Sequence, residues 1–155
     1  MITISPIGTV RSTRKEKRDD DWSRVDSHIE LVESLPAETL SGLQDFSHLE
    51  IVFYFHQVDE KDICLAARHP RGNAEFPIVG IFAQRAKDRP NRLGTTIVRL
   101  KSIAGRRIYV AGLDAIDGSP VLDIKPVVRE FLPGGAIEQP EWVSVVMKDY
   151  WELAV

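Results

Sequence analysis

Apolar and polar residues alternate along most of this chain, a period typical of β-strands that bury one face. The clearest example is HLEIVFYFH at residues 48–56. One face of this stretch carries Leu49, Ile51, Phe53 and Phe55. We therefore predict a strand here whose apolar face enters a core.

Five further stretches have the composition or the period of short strands. They are ITISPIGTV (2–10), FPIVGIFA (76–83), TTIVRLKSI (95–103), RRIYVAGLD (106–114) and PVLDIKP (120–126). In the last of these, the alternation predicts that Leu122 and Ile124 face away from Asp123 and Lys125. Short strands separated by Gly, Pro and Asp predict an all-β barrel or sandwich. The sequence predicts no long helix between these strands, which argues against a doubly wound parallel sheet.

Two segments are predicted to be helical. LPAETLSGLQ, residues 35–44, has Pro36 in a first-turn position and enough Ala, Glu and Leu for about two turns. The tail that follows Pro140 has apolar side chains at helical spacing. Its predicted apolar face consists of Trp142, Val145, Val146 and Tyr150. We expect this face to pack against the barrel or against a second subunit.

A chain of 155 residues is most simply one domain, with a barrel at about 1–130 and a helical tail at about 139–152. Its single cysteine, Cys64, excludes an internal disulfide, and we expect a buried, unreactive thiol. The amino end lacks the basic and apolar pattern of a signal peptide, and no apolar run is long enough to cross a bilayer. We therefore expect a soluble, cytoplasmic protein.

Basic residues are concentrated in two parts of a chain whose net charge is −3. Residues 85–107 contain eight basic side chains and one acid, Asp88, and RSTRKEKR at 11–18 contains five basic side chains and one acid. Segregation of this kind favours a local anionic partner. The alternative is that the arginines are solvated at strand edges.

Most familiar chemical motifs are absent from the sequence. It contains no GxGxxG, Walker loop, GxSxG or HExxH. His48 and His56 lie eight residues apart on one predicted strand, too far apart to share a metal ion. We therefore expect no metal site.

The stretch RAKDRPNRLG, residues 85–94, follows an apolar run and has unusual charge for a connection. Pro90 restricts the backbone and favours an extended Arg89. Gly94 allows a turn, and Asn91 can cap it. A stiff loop of this kind presents guanidinium groups, which match carboxylates and phosphates. The alternative is a polar loop with solvated arginines.

Acidic residues and a histidine mark two further positions. In GLDAIDGSPVLDIKP, residues 112–126, Asp117-Gly118 is a tight-turn signal, and Asp114 lies close by. Such acids can bind ribose hydroxyls or an ammonium group, although the turn explains Asp117-Gly118 by itself. His56 and Gln57 end a hydrophobic strand, where the alternative is an ordinary sheet rim.

Four stretches in series carry a family resemblance: IGTVRS, LSGLQDFSHLEIVFYFHQ, IFAQRAKDRPNRLG and GLDAIDGSPVLDIKP. Together they resemble the TsaA-like domain of the TrmO family over residues 7–126. The resemblance implies a single-sheeted β-barrel that works as a homodimer. It also implies a tRNA methyltransferase that uses S-adenosylmethionine to methylate N6 of threonylcarbamoyladenosine at tRNA position 37, in the anticodon loop.

The resemblance also assigns site residues. S-adenosylmethionine contacts fall on His56, Gln57, Arg85, Thr95, Asp117, Gly118 and Ser119. A further family contact corresponds to the region of Asp21, Trp22 and Ser23, where this sequence does not match the family's motif. The family usually reads RPNPIGLS where this chain has RPNRLGTT, so Arg92 replaces a proline and Thr95 a leucine. These departures leave the exact RNA substrate open.

Methyl transfer from a sulfonium depends mainly on alignment of the reacting atoms, and no strong acid or base has to be visible in the sequence. Asp114, Asp117 or His56 can accept the proton of the nucleophile, and the sequence does not choose among them. Arg89, Asn91 and Arg92 are predicted to bind the substrate, whose threonylcarbamoyl group ends in a carboxylate. The alternatives are a non-catalytic barrel that binds S-adenosylmethionine or a small ligand, and a methyltransferase for another RNA or small molecule.

Overall fold

The structure is a computed structural model, and it describes residues 1–151. Six antiparallel strands close into a barrel in the order β1-β2-β7-β6-β3-β8, and two short strands, β4 and β5, pair outside it. The strands are β1 Gly8–Ser12, β2 Asp26–Leu31, β3 His48–Tyr54, β4 Ala67–Arg68, β5 Val79–Gly80, β6 Leu93–Ala104, β7 Arg107–Ala111 and β8 Pro120–Pro126. The predicted all-β barrel is confirmed.

The barrel core follows from the alternation along the strands. Leu49, Ile51 and Phe53 of β3 are almost completely buried, as their spacing predicts. They meet the inward side chains of the other strands, which include Val10, Ile29, Val98, Ile108, Val110 and Val121. Burying each such side chain contributes about 1.5–3 kcal/mol, so this face of every strand is fixed inward.

Antiparallel closure sorts the connections between two ends of the barrel. Strands β1, β3 and β7 end where β2, β6 and β8 begin. This end, which we call the loop-rich mouth, carries the connections at residues 13–25, 55–92 and 112–119. The opposite mouth carries residues 32–47 and the tight β6–β7 turn. Chain segments far apart in sequence therefore meet at the loop-rich mouth.

The opposite mouth is closed by the predicted helical segment, which forms two 3-10 helices, Ala37–Leu40 and Leu43–Asp45, instead of two α-turns. Leu40 is buried in the core. Arg106 donates hydrogen bonds to the carbonyls of Val32 and Leu35. The basic run at 85–107 is consequently divided between the two mouths.

Two strand predictions are wrong in detail. FPIVGIFA forms the two-residue β5 followed by the 3-10 helix Ile81–Ala83, and Phe82 is 80% exposed. In β8 the register shifts, so that Val52 faces Asp123 while Phe53 faces Val121. This bulge at Leu122 turns Val121 into the core beside Ile124, where the alternation alone predicted Leu122.

The carboxyl-terminal helix is confirmed but short. It is α1, Glu141–Val146, and begins after Pro140. Val145 is 57% exposed and Tyr150 lies beyond the end of the helix, so the predicted four-residue apolar face is wrong. No helix among residues 1–151 is long and apolar enough to span a membrane. Cys64 is only partly buried, in contrast to the buried thiol that we expected.

Gly94 lies inside β6 and not in a turn as predicted. A Cβ atom at this position would lie 2.6 Å from Cζ of Phe53 and 2.8 Å from Cζ of Phe55. These distances are shorter than any real carbon contact. Glycine is therefore required by the rings of Phe53 in β3 and of Phe55 just after it.

We expect Gly94→Ala to lower the free energy of unfolding by about 1–3 kcal/mol, because the added methyl group overfills the core. Urea denaturation measures this loss. Gly134→Ala is the matched control, since a Cβ there meets no atom within 4 Å, and we expect its effect to stay within about 0.5 kcal/mol. Equal stability of the two variants would contradict this account of Gly94.

Candidate functional site

The loop-rich mouth brings together residues that the sequence separates widely. His56 and Gln57 follow β3, Arg85 to Arg92 precede β6, and Asp117 to Ser119 precede β8. Asp114 follows β7, and the connection 13–25 contains Asp21 to Ser23. Every sequence-predicted site residue thus belongs to this end of the barrel.

His56 and the Asp117-Gly118 turn form the first cluster. Nε2 of His56 lies 3.5 Å from the position that a Cβ on Gly118 would take, and Gly118 has a φ of 84°. The turn is fixed to β1, because the amide of Ser12 donates to Oδ1 of Asp117 (3.0 Å) and the amide of Gly118 donates to the carbonyl of Val10 (2.8 Å). A Cβ at Gly118 would meet the imidazole at an ordinary contact distance, so the positive φ is the reason that glycine is favoured here.

The surroundings of His56 favour the neutral form of its imidazole. Burial lowers the pKa of His56, and the nearby negative charge of Asp117 opposes this shift in part. Nδ1 of His56 is buried and has no hydrogen-bond partner among residues 1–151. Buried polar atoms are nearly always satisfied, so this nitrogen is one of a few exceptions among residues 1–151.

Arg85 and Thr95 form the second cluster. Nη2 of Arg85 donates to the carbonyl oxygen of Thr95 (2.6 Å) and lies 3.4 Å from its hydroxyl. Thr95 faces outward on β6, and Arg85 is exposed. The rest of the guanidinium group is therefore available to an anionic ligand.

The Arg89–Arg92 loop is stiff for more reasons than Pro90. The amide of Arg92 donates to the carbonyl of Arg89 (3.0 Å), and Arg92 has a φ of 50°. Nη1 of Arg89 donates to the carbonyl of Gln84 (2.7 Å), and Nη1 of Arg92 donates to that of Val58 (2.9 Å). Each guanidinium is partly used to hold the loop. Asn91 is exposed.

Gln57 and Ser119 are placed differently from the other predicted contacts. The carbonyl of Gln57 accepts a hydrogen bond from Nζ of Lys17 (3.1 Å), while its side chain is exposed. Ser119 is 2% exposed, and its hydroxyl donates to the carbonyl of Ile116 (2.7 Å). The Ser119 side chain therefore holds the turn together, and ligand contact through it remains a prediction.

The chain segment 149–151 lies against the mouth. Packing of the tail against the barrel was one of the two predicted alternatives, but its position at the mouth was not predicted. The amides of Asp21, Trp22 and Ser23 donate in turn to the carbonyls of residues 149, 150 and 151, at 3.0, 2.9 and 2.8 Å. Trp22 is buried, and the guanidinium of Arg14 stacks over its ring at 4.2 Å. The segment thus forms one wall of the mouth.

Tyr150 connects this wall to the barrel. Its hydroxyl donates to Oδ2 of Asp114, and Oδ1 of Asp114 accepts from the hydroxyl of Thr96, an inward residue of β6. Burial raises the pKa of Tyr150, and the negative charge of Asp114 and the hydrogen bond to it add to this increase. The phenol therefore stays protonated and donates to the carboxylate.

The described residues form two open hollows and no metal-binding group. No group of three or more His, Cys, Asp or Glu side chains in residues 1–151 is arranged to hold a metal ion. Two open hollows, of about 360 and 450 Å³, lie beside the connection 13–25 and along β1 and β2. Asp117 lines the larger hollow, and neither hollow is lined by His56 or Arg85.

Comparison with known families matches residues 13–131 to the tRNA-methyltransferase O N-terminal domain. The putative S-adenosylmethionine-dependent methyltransferase RcsF of Pseudomonas aeruginosa is 40% identical over 136 residues, which cover 81% of this chain and 55% of that protein. The tRNA (adenine(37)-N6)-methyltransferase of Homo sapiens is 40% identical over 96 residues, which cover 62% of this chain and 21% of that protein.

Solved structures agree with these sequence matches. A crystal structure of TrmO from Pseudomonas aeruginosa superimposes with a TM-score of 0.73 at 30% identity, covering 92% of this chain and 62% of that chain. The chain thus spans about half the length of the bacterial relative described above and a smaller part of the human one.

We expect Tyr150→Phe to loosen the wall of the mouth, because it removes a donor from the partly buried carboxylate of Asp114. A loss of about 1–3 kcal/mol predicts roughly fivefold to hundredfold faster hydrogen exchange of the Trp22 and Ser23 amides. Tyr109→Phe is the control, since the Tyr109 hydroxyl makes no hydrogen bond within residues 1–151. Unchanged exchange in Tyr150→Phe would show that the hydroxyl does not hold the segment.

We expect His56 to titrate below about 6.5, its ordinary value, in an NMR titration of the imidazole nuclei. Asp117→Asn lowers the pKa of His56 further, because the raising charge is removed. The pKa of His56 is therefore higher in the unfolded chain than in the folded chain. As the pH falls from about 6.5 through the folded pKa, the unfolded chain binds the proton more readily, and the stability that the neutral imidazole contributes is lost. An increase of the pKa in Asp117→Asn would contradict the arrangement.

Proposed function

Because the chain belongs to the tRNA-methyltransferase O N-terminal domain family, we propose that it transfers a methyl group from S-adenosylmethionine to N6 of threonylcarbamoyladenosine at position 37 of tRNA. The observation that carries the proposal is the position of His56, the Asp117-Gly118 turn and the Arg85–Thr95 pair at one mouth of the barrel. A tRNA substrate implies a cytoplasmic protein.

The mouth has the chemistry that S-adenosylmethionine requires. An exposed guanidinium at Arg85 suits the carboxylate of the methionine part, and Asp117 suits hydroxyl or ammonium groups. Gly118 lets a ligand approach the main chain closely, because no side chain stands in the way. Thr95, Gln57 and the main chain at Ser119 complete the proposed contacts.

Bound S-adenosylmethionine supplies a methyl group on a sulfonium, so the protein's main task is to align the reacting atoms and exclude water. The N6 atom must lose a proton. Both oxygens of Asp114 already accept hydrogen bonds, from Thr96 and Tyr150. Nε2 of His56, kept neutral by burial, is the better acceptor, with Asp117 beside it.

The Arg89–Arg92 loop supplies the proposed substrate contacts. Nη2 of Arg89 and Nη2 of Arg92 make no hydrogen bond within residues 1–151, although Nη1 of each is used. These free nitrogens, with the amide of Asn91, suit the carboxylate of the threonylcarbamoyl group. The loop lies at the same mouth as the proposed cofactor contacts.

We propose that the protein is a homodimer. The segment after β8 is largely exposed and carries three large apolar side chains, Phe131 (89% exposed), Leu132 (47%) and Ile137 (73%). Apolar side chains grouped in this way are typical of interaction surfaces. A second copy of the chain is the proposed occupant.

We expect Arg85→Ala to weaken binding of S-adenosylmethionine by about tenfold to hundredfold in calorimetry, since a hydrogen bond to a charged group contributes about 1.5–3 kcal/mol. Arg129→Ala, an exposed arginine beyond the opposite mouth, is the control and should bind as the parent does. Equal affinities of the two variants would rule out the pocket. Loss of the methylated nucleoside in a deletion strain, measured by mass spectrometry, tests the activity itself.

A further inference from the structure

A row of side chains crosses the outside of the barrel beside the loop-rich mouth. Arg11 of β1 pairs with His28 of β2, and His28 pairs with Tyr109 of β7. Tyr109 pairs with Ser102 of β6, next to Lys101 at a register shift. The row therefore runs cation, ring, ring, cation across four strands.

The two rings of this row form a platform. The centroids of His28 and Tyr109 are 5.1 Å apart, with the rings tilted by 38°. Both side chains are partly exposed, because the inward positions of the same strands are filled by apolar residues. Unpaired bases stack on the faces of aromatic rings that are exposed on the outer surface of a sheet.

The row lines the hollow of about 450 Å³, and the hollow continues toward the connection 13–25. Thr13 and Lys15 line both this hollow and the one of about 360 Å³, so the two hollows adjoin. We call the combined surface the outer groove; its basic residues include Arg11, Lys15, Arg24 and Lys101.

The cations of the outer groove are available to a polyanion. Lys15 and Arg24 are exposed and make no ion pair within residues 1–151. Lys101 lies 3.8 Å from Asp26 with half of its side chain exposed (52%), and Arg11 lies 3.4 Å from Glu30 with 47% exposed. Exposed pairs of this kind contribute little stability, so phosphates can replace the acids.

The outer groove reaches the proposed methylation site. Asp117 lines the groove, and the same residue acts on His56 and holds the turn at Gly118. A nucleic-acid strand that lies along the groove would therefore enter the loop-rich mouth at the Asp117-Gly118 turn. Neither the basic cluster at 11–18 nor this row is used by the proposed cofactor contacts.

We propose that the outer groove binds the unpaired nucleotides of the anticodon loop that adjoin the target adenosine. A base stacks on Tyr109 and His28, and the cations bind the flanking phosphates. The identity of the RNA rests on the proposed function. The proposal that the outer groove binds nucleotides rests on the row of side chains and on its position beside the mouth.

The test measures affinity for a labelled anticodon stem–loop RNA, with binding of S-adenosylmethionine measured in parallel. Tyr109→Ala is expected to weaken RNA binding at least fivefold, whereas Tyr109→Phe, which keeps the ring, stays within about twofold. Lys15→Ala and Lys101→Ala should each reduce the slope of log affinity against log salt by about 1. Lys125→Ala, an exposed strand lysine with its own carboxylate neighbour at 3.1 Å, is the control.

Binding of S-adenosylmethionine should stay at the parent level in all these variants, and this also shows that they are folded. The proposal is overturned if the parent binds no stem–loop, if the Tyr109 and lysine variants bind like the parent, or if a stem closed by an unrelated loop binds equally well. The proposed function fails separately, when the parent neither binds S-adenosylmethionine nor methylates the tRNA, whatever the groove variants show.

Discussion

Closure of six antiparallel strands determines where each part of this molecule lies. Because neighbouring strands run in opposite directions, a connection can leave only from one of two mouths. The connections 13–25, 55–92 and 112–119 all fall on the same one. His56, Arg85 and Asp117 lie at that mouth although up to 61 residues separate them in sequence. The candidate site is thus a consequence of strand order and not of any local motif.

The mouth is held together by contacts between its connections. Nη2 of Arg71 lies 2.9 Å from Oδ1 of Asp20 and so ties the long connection to the first one. Arg14 donates to the carbonyls of Asp20 and Asp21, at 2.7 and 2.6 Å. Tyr150 and Asp114 then join the carboxyl-terminal segment to the barrel wall. Such a network positions side chains on loops more firmly than loop backbone alone.

Local sequence was a good guide wherever local packing decides the outcome. The burial of Leu49, Ile51 and Phe53 follows from the strand period, and the helix after Pro140 follows from its start signal. Other features depend on contacts with partner strands, which local sequence does not reveal. The bulge at Leu122 depends on β3, and the need for glycine at position 94 comes from Phe53 and Phe55. The family resemblance named candidate contacts, and the fold puts them at one mouth. The hydrogen bond from Tyr150 to Asp114 was not predicted, because the two residues lie 36 positions apart in sequence.

The contact between segment 149–151 and the connection 13–25 affects how the protein matures on the ribosome. All six barrel strands lie within residues 8–126, so they are synthesised before the segment that contains Tyr150. Since chains emerge amino end first, the six strands leave the ribosome before the segment that completes the wall of the mouth. The residues of that wall are therefore the last of the mouth to become available for folding.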